Sequence, residues 1–151
     1  MKKFKPAKGQ TDYTNIHWAP VINCILEFNG KILIVQRNKN LNFYPNYYNG
    51  ISGFLDDDKS LEVKIKNEIS EELNLKSSAI KSIKVGNIFH QKAPKYNKTW
   101  IVHPVLVRVK TDKIKLNWEA QNFKWIGIDD ANKYKLLPGF AQVVKEVKKI
   151  L

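Results

Sequence analysis

One stretch limits what this chain can fold into more than any other: Ser60 to Leu75, read SLEVKIKNEISEELNL. Its apolar residues recur at helical spacing. On a wheel of about 100° per residue with Ile65 at zero, Leu61 falls near −40°, Ile69 near +40° and Leu73 near +80°. Ser60 is placed to cap the N-terminus, and Asn74 can close the helix in the left-handed conformation. The acids break the pattern. Glu72 falls near −20°, inside the apolar arc, and Glu68 near −60°, at its edge. Glu71 lies further round, near −120°. An unpaired buried carboxylate is expensive, and neighbouring carboxylates raise one another's pKa. A divalent cation removes both costs, and a few carboxylates completed by water and phosphate oxygens are the usual magnesium arrangement. Glu62 and Glu71, taken alone, read as solvated edge residues.

Around this helix the chain reads as strands. Trp18 to Phe28 is apolar and rich in branched residues, Asn29-Gly30 is a type I′ turn signal, and Lys31 to Gln36 continues as a second strand. Residues 38–50 form a loop crowded with asparagine and aromatic residues. Ile51 to Leu55 is short and mixed. Further strand-like runs are Ile80–His90, Trp100–Val109 and Phe123–Ile128, with Pro104 placing its strand at an edge or a bulge. Phe140 to Leu151 is an amphipathic helix. Many strands with one central and one terminal helix predict an α/β or α+β layered domain. Residues 1–15 are polar and basic and read as an arm; 16–151 read as one domain.

The chain has 151 residues and a formal net charge of +12. Half of its 14 acids lie between Asp56 and Glu72. A basic body around one acidic segment suggests a polyanionic partner and a cation to bridge it. Only Arg37 and Arg108 are arginines, so base-specific nucleic-acid reading is disfavoured, while nonspecific attraction to phosphates stays open. The single cysteine, Cys24, excludes an internal disulfide and fits a cytoplasmic setting and an inert core position. No apolar run approaches the ~20 residues of a membrane span, so no membrane partner is expected.

Gly53 to Leu75 resembles the Nudix box: Gly, five residues, Glu, seven residues, then Arg-Glu-aliphatic-any-Glu-Glu-any-Gly-aliphatic. Gly53, Glu68-Ile69, Glu71-Glu72 and Leu75 stand at the required spacings, whereas Lys59, Asn67 and Asn74 replace the first Glu, the Arg and the second Gly. The preceding hairpin, ending in Arg37, resembles the strand pair before the box. Trp118-Glu119 resembles a later stretch where many family members carry a further glutamate, and the match spans roughly residues 17–151. The resemblance implies an α/β class fold, a Nudix-like α/β/α sandwich with a mixed sheet.

The resemblance also implies Mg²⁺- or Mn²⁺-dependent hydrolysis of a nucleoside diphosphate linked to another group. It points to Glu68, Glu71 and Glu72 as metal ligands with the Ser52 carbonyl, and to Glu119 as an extra ligand or general base. For Glu119, a plain surface acid beside Trp118 is the competing reading. Arg37 is placed to touch a phosphate or to pair with an acid. Tyr44 and Tyr48, with Phe43 and Tyr47, could stack on a base or pack the loop. Lys59 is expected to reach a substrate phosphate or neutralise Glu68. The expected partner is a small nucleotide or other diphosphate. The alternative is a weakened module of the same fold that binds nucleotide or RNA. A homodimer is compatible with the sequence.

Overall fold

The computed structural model describes residues 11–151; the first ten residues of the basic arm lie outside the described residues. The first strands follow the local signals. β1 (Trp18–Phe28) and β2 (Lys31–Arg37) are joined by Asn29 and Gly30, both at positive φ (49° and 80°), as a type I′ turn requires. β3 (Tyr48–Asn49) and β4 (Ile51–Phe54) follow the aromatic loop. α1 (Leu61–Leu73) is capped by Ser60, whose side chain accepts from the Val63 N–H, and ends at Asn74 with φ 55°.

The run read as one strand over Ile80–His90 is two strands, β5 (Ile80–Val85) and β6 (Phe89–Ala93). Both pair with β7 (Lys98–Val109), one against each half. β8 (Ala120–Gly127) and α2 (Phe140–Ile150) complete the order.

The sheet is mixed. β1 runs parallel to β7 along its length and antiparallel to β2 at one end and β4 at the other. β2 pairs with β8 along its far side, and with β3 on the side of β1, past the hairpin pairing. Contrary to the edge or bulge expectation, Pro104 sits in the middle of β7, opposite Asn23 of β1. Its carbonyl accepts from the Gly86 N–H, so its nitrogen also faces the seam between β5 and β6 rather than β1. No ladder bond to β1 is lost there, which explains a proline in a central strand.

A central strand covered on both faces reads as a nearly continuous apolar run, as β1 does. One face packs Ile22, Cys24 and Leu26 against Ile65, Ile69 and Leu73 of α1. The other packs Ala19, Ile25 and Ile34 against Phe140, Val143 and Val147 of α2. This is the α/β/α sandwich expected from the sequence. Among the described residues no helix is long and apolar enough to cross a membrane.

Candidate active site

The helix cap is also the device that assembles the acids. The last turn of α1 leaves orphan carbonyls, and two of them are used by the chain after β7. Lys115 donates its N–H to the Leu73 carbonyl, and Asn117 donates to the Glu72 carbonyl. The Asn117 side chain then accepts from the Glu119 N–H at 3.0 Å. This local turn brings Glu119 onto Glu72.

The Glu72 carboxyl is enclosed. Its Oε2 has no hydrogen-bond partner, and burial pushes its pKa well up, helped by a hydrogen bond to the Glu119 carboxyl and by the charges of Glu119 and Glu68. A carboxyl–carboxyl hydrogen bond needs a shared proton, and a cation can take that proton's place. Glu68 is pushed up to about 7, first by burial and then by Glu71 and Glu119, against the opposing pull of Lys64. Gly53 lies directly under it: a Cβ there would stand 2.6 Å from the Glu68 Cδ, so any side chain at this position displaces the carboxylate.

These groups line one cleft of about 320 Å³, with Asp56, Ser52 and Arg37. Arg37 donates from Nε to the Phe43 carbonyl at 2.9 Å, and burial draws its pKa down against the charges of Glu72 and Glu119. Tyr44 lines the cleft too, but its hydroxyl accepts from the Trp100 indole at 3.0 Å. Tyr48 is absent from the cleft lining; it packs edge-on against Tyr134, and its hydroxyl accepts from Asn122. Lys59 is exposed and also lies outside the cleft lining.

The cation that does enter the acidic cluster is Lys64, which the sequence reading passed over. Its Nζ lies 3.1 Å from Asp56 and 3.3 Å from Glu68, with the side chain only 8% exposed. Asn23 and Asn49 were also missed: buried at the cleft wall, they form an amide pair at 2.8 Å that continues to the Ser52 hydroxyl.

Among the described residues, no group of three or more His, Cys, Asp and Glu is arranged to hold a metal ion. The donor set nevertheless fits a hard cation. All donors are oxygens, two carboxyls meet, and one buried carboxylate oxygen lacks a partner.

The model of the NUDIX domain matches residues 17–147. The chain belongs to the Nudix family. Similar solved structures carry the same fold at low identity. A NUDIX hydrolase from Nitrosomonas europaea aligns with TM-score 0.71 and 17% identity, over 87% of this chain and 88% of that one. A C. elegans Ap4A hydrolase in a binary complex gives 0.66 and 18%, over 89% and 97%. The NUDIX domain of Shewanella oneidensis NrtR complexed with ADP ribose gives 0.67 and 14%, over 87% and 86%. No curated protein matches the chain. As a Nudix chain, it carries Glu68, Glu71 and Glu72 of its box on α1 in the cleft lining, with Gly53.

Proposed function

We propose that the cleft hydrolyses a pyrophosphate bond in a nucleoside diphosphate linked to another group, with Mg²⁺ or Mn²⁺ bound. The observation that carries this reading is the Glu72 carboxyl, enclosed, paired with another carboxyl and left with an unpartnered oxygen. Glu68 and Glu72 would hold the cation, with Glu71 and the Ser52 carbonyl beside them. Such an ion neutralises phosphate charge and lowers the pKa of water.

The chain's own groups do the rest. Arg37 puts a fixed positive charge at the cleft wall, where phosphate oxygens would meet it. Glu119 stands at the acidic cluster as acceptor for a proton from the attacking water. Phe43 and Tyr44 give the cleft an aromatic wall on which a base can rest. The Nudix neighbours named for Ap4A hydrolysis and for an ADP ribose complex make dinucleotide-like diphosphates the first substrates to try.

The test is purified protein with Mn²⁺ or Mg²⁺ against dinucleoside polyphosphates, sugar nucleotides and nucleoside triphosphates. We expect cleavage that stops in EDTA and falls at least ~100-fold in Glu72→Gln. No product across the panel rejects the reading; nucleotide binding without product would make the chain a binding module.

A further inference from the structure

The acidic cleft already holds a cation of its own. Lys64 sits one helical turn before Glu68 on α1, so both side chains lean to the same flank. Its ammonium lies 3.1 Å from Asp56, 3.3 Å from Glu68 and 3.9 Å from Asp57. Asp56 is 3% exposed at its side chain, so it has lost nearly all its water. A carboxylate so enclosed needs a permanent partner. Five carboxylates and two basic side chains, Arg37 and Lys64, line the cleft. Arg37 faces Glu72 and Glu119, while Lys64 faces Asp56 and Glu68. Four of the five acids therefore fall into two pairs, each with its own base. In the Lys64 group one oxygen of each carboxylate is already claimed: the ammonium takes Oδ1 of Asp56 and Oε1 of Glu68.

We infer that Lys64 is a tethered cation that fills one cation place of the cleft, between Asp56 and Glu68, so that the site takes one divalent ion fewer than its carboxylates would otherwise hold. The lysine is covalently held, so it loses no translational freedom on occupying that place. It would keep Asp56 out of the divalent ion's shell and leave that ion to Glu72 and Glu68, with Glu71 and the Ser52 carbonyl beside them. Lys64 is a positioning residue here, acting through Asp56 and Glu68.

This inference rests on the reading that the carboxylates bind a divalent ion. The test is direct Mn²⁺ binding, read from the EPR signal of free Mn²⁺ without nucleotide, for the wild type, Lys64→Met and Lys64→Arg. We expect Lys64→Met to bind one more ion per chain than the wild type. Lys64→Arg, which keeps the charge, should match the wild type. An equal or smaller ion count in Lys64→Met overturns the inference while the divalent-ion reading stands; a wild type that binds no Mn²⁺ overturns both. If Lys64→Met is unfolded in EDTA, its thermal transition is followed on adding Mn²⁺. Recovery of a cooperative transition supports the inference, and a chain that stays unfolded at saturating Mn²⁺ refutes it.

Discussion

Replacing Glu68 with glutamine isolates the electrostatic cost of the cleft. In the folded, metal-free protein the Glu68 carboxyl is pushed up to about 7 from its ordinary value of 4.5, mainly by burial. The folded chain therefore holds this proton more tightly than the unfolded chain. The stability that the proton contributes is fully present below pH 4.5 and is lost as pH rises through 7. At about 1.4 kcal/mol for each pKa unit, the loss amounts to about 3 kcal/mol. Glutamine does not titrate, so the variant lacks this term. The assay is urea unfolding in EDTA at steps from pH 4.5 to 8, wild type beside Glu68→Gln. With a slope near ~2 kcal/mol per M, the wild-type midpoint should fall by about 1.5 M relative to the variant over that range. Added Mn²⁺ should reverse the trend, because the ion binds the ionised carboxylate and competes with the proton. A gap between the two proteins that stays constant with pH, or that opens the other way, would refute the assignment of a buried, proton-holding Glu68.

Other substitutions test separate links. Gly53→Ala should keep the fold, measured by circular dichroism, but displace Glu68 and cut cleavage and Mn²⁺ affinity together, because the new Cβ would meet the carboxyl at 2.6 Å. Phe140 is fully buried against the α2 face of the sheet, so Phe140→Ala should cost about 3–5 kcal/mol in a urea titration. Asn74 holds φ 55° at the end of α1; Asn74→Gly should be nearly neutral, whereas Asn74→Ala should lose about 1 kcal/mol.

The features legible in the sequence are those set by neighbours along the chain. The hairpin of β1 and β2 follows from alternating branched residues and Asn29-Gly30, and α1 follows from its period and its two caps. The position of Glu72 inside the apolar arc of α1 already implies an enclosed carboxyl. Lys64 was missed because its wheel position, near −100°, is an ordinary place for a solvated lysine. Its burial comes from Asp56, eight residues away on a turn whose path no local signal describes. The pairing of Lys64 with Glu68 at i,i+4 was the one clue available. Tyr48 and Lys59 illustrate the same limit: near the box in sequence, they lie outside the cleft lining, Tyr48 on β3 docked against β2 and Lys59 exposed before α1. Pro104 was misplaced because a proline excludes a ladder bond on only one side of its strand, and sequence does not say which.

The parallel pairing of β1 with β7 also governs the order of events when the chain folds. Its partners, Trp18 with Thr99 through Glu27 with Arg108, lie roughly 80 residues apart, so the sheet's centre forms only after a long loop closes. Glu68, Glu71 and Glu72 come together early, on one helix. Glu119 reaches Glu72 only when the segment after β7 docks on the helix end. The repulsion within the cluster is thus met late, after the main barrier. An ion that relieves it should leave the folding rate nearly unchanged and slow unfolding instead, so that saturating Mn²⁺ moves only the unfolding arm of the chevron.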